Sequence, residues 1–109
     1  MEEKSSFRLV FGDTAIIKVL DFFLDNADFD YSLTDIAKNS DIGWSTLHLF
    51  FDDLIKTGIV VKSRQIGRAK MYKLNIKNPI VQKLIEIDFE LSKKMIREEL
   101  KKQNKRIKA

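Results

Sequence analysis

Apolar side chains recur at helical spacing in three separate stretches of this chain, and switch to a two-residue period in one place between them. Between Thr14 and about Asp25, Ile16, Ile17, Leu20, Phe23 and Leu24 fall on one face of a 3.6-residue repeat, with Asp13 placed to cap it. Ahead of it, Phe7 to Phe11 alternates, and reads either as a short strand or as the lead-in to that helix. Asn26 to Asp30 is a polar break. Ser32 then stands three residues before Asp35, a capping-box-like pattern ahead of Ile36 and Ala37, and predicts a short helix ending by Ser40. Asp41-Ile42-Gly43 is a three-residue turn, and aspartate accepts left-handed backbone at small cost. A third helix is predicted from Trp44 to about Thr57, with Leu47, Phe50, Phe51, Leu54 and Ile55 apolar. Gly58 stops it at the position where a left-handed residue is wanted.

The pattern then changes. Ile59-Val60-Val61 opens a β-favouring stretch to about Arg64, and Lys70 to Asn75 forms a second. Gln65-Ile66-Gly67-Arg68 between them supplies the turn of a hairpin. Asn78-Pro79 pairs a capping residue with proline at the first helical position, and predicts a final helix from Pro79 to about Lys102. That helix carries two apolar stripes: Ile80, Leu84, Ile87, Leu91 and Met95 on one, Val81, Ile85, Phe89, Ile96 and Leu100 on the other. One stripe packs on the domain's own core. The second implies another partner, most simply a second copy, unless both form one wide face folded back on a small core.

Composition narrows the chemistry. At 109 residues the chain has room for one compact domain, and its 44% hydrophobic and 33% charged residues are globular in character. The absence of cysteine excludes a disulfide framework, a thiolate metal site and a cysteine nucleophile. His48 is the only histidine, so a histidine relay or multi-histidine metal site has nothing to be built from. Asp52 and Asp53 are adjacent on a helix and do not converge for acid–base work. The expectation is a non-enzyme with no cofactor and no metal. No apolar run approaches the roughly 20 residues a bilayer span needs, and Met1-Glu2-Glu3-Lys4 lacks the character of a secretory signal, so no membrane and a cytoplasmic location are expected.

Charge is unevenly spread. Residues 1–55 hold four basic and eleven acidic side chains, and residues 56–109 hold sixteen basic and five acidic. From Lys56 to Lys77 there are seven basic residues and no acidic one, across the predicted hairpin. Strict alternation would put Lys62 and Arg64 on one face, opposite Val61. Such a concentration of positive charge fits a polyanion; it also fits a solvated hairpin kept from edge aggregation by its lysines.

The residues from Ser32 to His48 (Ser-Leu-Thr-Asp-Ile-Ala-Lys-Asn-Ser-Asp-Ile-Gly-Trp-Ser-Thr-Leu-His) resemble the helix-turn-helix of small prokaryotic transcriptional regulators. Leu54-Ile-Lys-Thr-Gly-Ile-Val60 is similar to the approach to their first wing strand, and Ile66-Gly-Arg-Ala-Lys-Met-Tyr-Lys-Leu74 to the return strand. With Phe11-Gly-Asp13 ahead of the first helix, the chain resembles ArsR- and MarR-like winged-helix groups, and stand-alone archaeal members most of all. The similarity spans roughly residues 9–85.

That resemblance implies an α+β, mostly α fold: a winged helix-turn-helix with a three-helix core, a two-stranded β-wing and a long C-terminal helix. It implies a sequence-specific regulator bound to double-stranded DNA, with the third helix in the major groove and the wing on backbone or minor groove. On this sequence the DNA-binding positions are Thr34, Trp44, Ser45, Thr46, His48 and Leu49, with Lys62, Arg64, Arg68 and Lys70 around the wing. Trp44 has a competing role as a core or staple residue, and Ser45 and Thr46 as helix caps. Leu49 stands where the family commonly has a basic residue, and Asp52-Asp53 follow. These favour an alternative, a winged-helix adaptor that docks proteins within a transcription or replication assembly. The expected division is residues 1–77 as the DNA-binding domain, 78–103 as a dimerisation helix and 104–109 as a basic disordered tail. Leu84, Phe89, Leu91, Met95 and Ile96 are the residues expected between the subunits of a homodimer.

Overall fold

A computed structural model describes residues 4–108. Its elements are α1 (Ser6–Phe11), α2 (Ala15–Asp25), α3 (Leu33–Asn39), α4 (Trp44–His48), α5 (Phe51–Lys56), β1 (Val60–Ile66), β2 (Ala69–Leu74) and α6 (Pro79–Lys108). The fold is α+β, mostly helical, with two antiparallel strands and a long last helix. The segment Phe7–Phe11 is helical rather than extended: Ser5 caps α1 by accepting from the Arg8 amide at 3.1 Å. Asp13 does not cap α2. Its carboxylate turns to Arg8 and Lys4 instead, and Thr14 takes the cap position without a side-chain bond.

The core gathers one face from every element after α1. Val19 and Phe23 of α2, Ile36 and Ala37 of α3, Leu47 of α4, and Phe51 and Leu54 of α5 meet Ile59, Val60, Leu74 and Val81. The buried line of α2 runs through Val19 and Phe23, so Ile16 stays partly exposed at its edge. Ser32 Oγ accepts from the Asp35 amide at 3.2 Å, as its spacing predicts. Asp41 takes φ 57° in the turn that joins α3 to α4.

The stretch predicted as one helix from Trp44 to Thr57 is two. Leu49 and Phe50 donate to Thr46 and Leu47 at 3.1 and 3.3 Å, bonds to the third residue back, and Phe50 then opens to φ −133°. Consecutive residues of a straight helix point 100° apart. The break lets the adjacent Phe50 and Phe51 both turn toward the core while Leu49 is expelled to 82% exposure. Asp52 and Asp53 thereby become the first turn of α5, where carboxylates complement the unpaired amides of a helix start.

Gly67, at φ 59°, makes the two-residue turn of the hairpin and leaves Arg68 at its tip. Register is Val60 opposite Leu74, Val61 opposite Lys73 and Lys62 opposite Tyr72, and then slips so that Arg64 faces Met71. Ser63 is the extra residue of this bulge. Because Met71 and Tyr72 point to opposite faces, Lys62 and Arg64 do too, which overturns the shared face that strict alternation predicts. Asn78 Oδ1 accepts from the Ile80 amide at 2.8 Å and starts α6, which continues through Lys108. It overruns its predicted end near Lys102, and residues 104–108 of the expected disordered tail are helical. No glycine or proline interrupts this run of good helix formers. Met1 to Glu3 and Ala109 lie outside the described residues.

Candidate functional site

Tyr31 and Tyr72 exchange two backbone hydrogen bonds of 2.8 Å, tying the loop after α2 to the outer edge of β2. The Tyr31 ring packs edge-on against Phe22, and the Tyr72 ring against Phe51, at 4.7 and 5.0 Å between centroids. This tie carries the start of α3 to the wing. Between them lies a groove of about 270 Å3, lined by Ser32, Thr34, Trp44, Arg68, Lys70 and Tyr72 among others. Four of the residues singled out in the sequence (Thr34, Trp44, Arg68 and Lys70) therefore come together from three distant segments. Among the described residues, no carboxylate lies within ion-pair distance of Lys62, Arg68 or Lys70.

The helix beside the groove presents an uncharged surface. Leu47 alone is fully buried; Trp44, Ser45, Thr46, His48 and Leu49 are all exposed. Trp44 is 55% exposed, so it is not the core residue its type suggests. Its indole packs tilted against the His48 ring with centroids 3.7 Å apart, and His48 Nδ1 lies 2.9 Å from the Trp44 carbonyl oxygen. Gly43 caps α4 through its backbone alone, and neither Ser45 nor Thr46 donates to or accepts from a neighbour through its hydroxyl among the described residues.

Arg64 is placed differently from the other wing cations. Asp30 receives its Nε–H at 2.8 Å and its Nη2–H at 3.1 Å, and the Ser63 hydroxyl at 2.5 Å. These donors hold the Asp30 carboxyl at a pKa of about 2, the Arg64 guanidinium contributing most and the Ser63 hydroxyl next. The bulge puts Ser63 and Arg64 on the face away from Lys62, Lys70 and Tyr72. Lys62 is on the groove's side of the hairpin, where its Nζ donates to Gln65 Oε1 at 3.2 Å. Asp30 and Ser63 are functional neighbours that sequence reasoning misses, since no local spacing links residues so far apart.

On α6 the structure divides the residues expected between subunits. Leu84 and Leu91 are half-buried, while Phe89, Met95 and Ile96 are exposed, with Leu100 and Ile107 beyond them. Lys93 Nζ sits 4.8 Å from the centre of the Phe89 ring.

A second cavity, of about 190 Å3, opens between α2 and the end of α3, lined by Lys18, Asp21, Asp25, Asn26, Asn39 and Ser40 among others. Asp21 Oδ1 and Ser40 Oγ are buried there without a hydrogen-bond partner among the described residues. Burial, then the Asp21 charge, raises the carboxyl of Asp88, and the same causes with Asp88 added raise Asp25. No group of three His, Cys, Asp or Glu side chains among the described residues is arranged to hold a metal, and no described helix is long and apolar enough to cross a membrane.

The chain matches no protein-family model and no curated protein. Solved structures do resemble it. A possible transcriptional regulator from Methanosarcina mazei superposes with a TM-score of 0.54 at 22% identity, over 82% of this chain and 77% of that one. Sso10a-2, a DNA-binding protein from Sulfolobus solfataricus, gives 0.50 at 19% identity, over 84% and 90%. Reduced AbfR, solved bound to DNA, gives 0.54 at 20% identity, over 95% and 78%. At these identities the likeness is one of fold: the chain is a winged helix.

Proposed function

We propose that this winged helix binds double-stranded DNA as a transcriptional regulator, with α4 in the major groove and the wing on the adjoining backbone or minor groove. One observation carries the reading. Thr34, Trp44, Arg68 and Lys70 converge on a single groove beside a helix whose outer side chains are all exposed. Arg68 and Lys70 supply the phosphate-seeking charge, with Lys62 on the same side of the hairpin. Ser45, Thr46, His48 and Leu49 supply the surface that meets base edges. The DNA-bound AbfR and the DNA-binding Sso10a-2 share this fold and support the assignment. Arg64 is bound to Asp30 behind the wing, and its role in this reading is to brace the hairpin rather than to meet phosphate.

The two parts of the chain divide the labour. Residues up to 77 bind DNA, and α6 joins two copies into a homodimer. Its C-terminal half projects from the body with every described side chain from Lys94 to Ile107 exposed, yet Phe89, Ile96, Leu100 and Ile107 are apolar along it. A second copy covers such a stripe and gives a two-fold pair of recognition helices.

Duplex binding measured at two salt concentrations, with selected and scrambled sequences, tests the main reading. Tighter binding to the selected duplex together with a steep salt dependence is the expected result. Absence of duplex binding at low salt refutes it. The exposed Trp44 and Leu49 favour one alternative, in which the same helix docks a protein within a transcription or replication assembly.

A further inference from the structure

The one histidine of this chain makes two contacts within its own helix. His48 Nδ1 lies 2.9 Å from the carbonyl oxygen of Trp44, one turn back along α4. A carbonyl oxygen only accepts, so Nδ1 carries the hydrogen. The Trp44 indole packs against the same ring, with centroids 3.7 Å apart and planes tilted by 38°. In the neutral imidazole the proton on Nδ1 leaves Nε2 with a lone pair and no hydrogen. His48 thus presents one acceptor from the exposed side of α4, between Thr46, whose hydroxyl can serve either way, and the apolar Leu49.

We infer that His48 determines specificity by accepting a hydrogen bond from the exocyclic amino group of an adenine or cytosine in the major groove. The inference rests on the proposed placement of α4. In that groove, adenine N6 and cytosine N4 are donors, whereas guanine offers two acceptors and thymine an acceptor and a methyl group. Nε2 therefore pairs with the first two and leaves two acceptors facing each other with the others. A lone pair left unmatched in a closed interface is costly, so guanine and thymine are rejected on the strand that faces Nε2. Leu49, 82% exposed and next in sequence, fits a thymine methyl beside it.

Two measurements test this. Because His48 is the only histidine, long-range proton–nitrogen correlations of the labelled protein report its tautomer without assignment ambiguity. The Nδ1–H form is expected, and the Nε2–H form in the neutral ring overturns the inference. Selection from a randomised duplex library is then run on the wild type, His48→Ala and His48→Arg. The wild type should favour one base pair at one position per half-site, and should lose affinity when the adenine or cytosine amino group of that pair is removed. His48→Ala should lose about two- to tenfold of that preference. His48→Arg should move the same position to guanine, whose two acceptors match a guanidinium. Wild-type affinity that survives removal of the amino group there (purine in place of adenine, 2-pyrimidinone in place of cytosine), or a selected sequence that His48→Ala leaves intact, overturns the base assignment while the groove placement stands. A wild type that binds duplex but selects no sequence removes the groove placement and the assignment with it.

Discussion

Asp30 and Arg64, thirty-four residues apart, form a two-pronged ion pair that ties the loop after α2 to the wing, at 2.8 and 3.1 Å. The pair crosses the back of the hairpin, and the Ser63 bulge is what turns Arg64 that way. It separates two kinds of wing cation: those that look toward α4, and one that holds the wing in place.

Salt dependence distinguishes these kinds. Each phosphate contact contributes about 0.9 to the slope of log affinity against log salt. Arg68→Ala with Lys70→Ala should therefore flatten the slope by about 1.8 and weaken binding to all duplexes together. Arg64→Ala should weaken binding through a loosened wing and leave the slope in place. A slope that falls by nearly one unit in Arg64→Ala would show that Arg64 leaves Asp30 for phosphate.

Titration adds a second handle on the acidic groups. The Asp30 carboxyl is lowered, so its contribution to folding is complete above the ordinary aspartate range and is lost as pH falls toward about 2. Asp25 and Asp88 are shifted the opposite way, by burial and by the Asp21 charge between them. For raised carboxyls the favourable state is the protonated one, and stability declines as pH rises through their folded values. Asp88→Asn should stabilise the protein at pH 7 by about 0.5 kcal/mol, allowing for solvent screening, and the gain should vanish near pH 4. Thermal melts of both proteins at the two pH values provide the check, and an equal gain at both would assign it to packing instead.

Much of this was legible in the chain because local rules decide it. Ser32, Asp41, Gly58, Gly67 and Asn78 each act through their own backbone or a near neighbour, and each is found where the spacing places it. What the sequence does not announce is tertiary. The break at Leu49-Phe50 carries no glycine or proline, and comes from two adjacent aromatics competing for one core. The bulge at Ser63 reverses a face because a partner thirty-three residues away draws that hydroxyl out. Asp13 has the side chain of a cap and two cations within reach, and the cations win. The convergence of Thr34, Trp44, Arg68 and Lys70 was implied by the resemblance, but the link that makes it, Tyr31 to Tyr72, has no motif.

Leu49 separates the two readings of α4. It is 82% exposed, against 55% for Trp44, and stands where a basic residue would strengthen duplex binding. Leu49→Arg should raise affinity for every duplex and steepen the salt slope by about 0.9. If duplex binding is unchanged while capture of a protein partner is lost, α4 is a docking surface.

One face of α6 repeats with spacings of four and three. Phe89, Lys93, Ile96, Leu100, Gln103 and Ile107 follow one seam. A parallel pairing would set Lys93 against Lys93 of the second copy and leave Gln103 against itself. An antiparallel pairing centred on Glu98 sets Phe89 against Ile107, Lys93 against Gln103 and Ile96 against Leu100, with no like charges opposed. The chain contains no cysteine, so introduced thiols report this arrangement directly. Ile96→Cys and Leu100→Cys should each resist oxidation alone and form a mixed disulfide when combined, since bridged α-carbons must lie within about 7 Å. Efficient crosslinking of Ile96→Cys to itself would instead favour the parallel form. Phe89→Lys with Ile96→Lys should give a folded monomer by sedimentation, and a wild type that already sediments as a monomer would refute the homodimer outright.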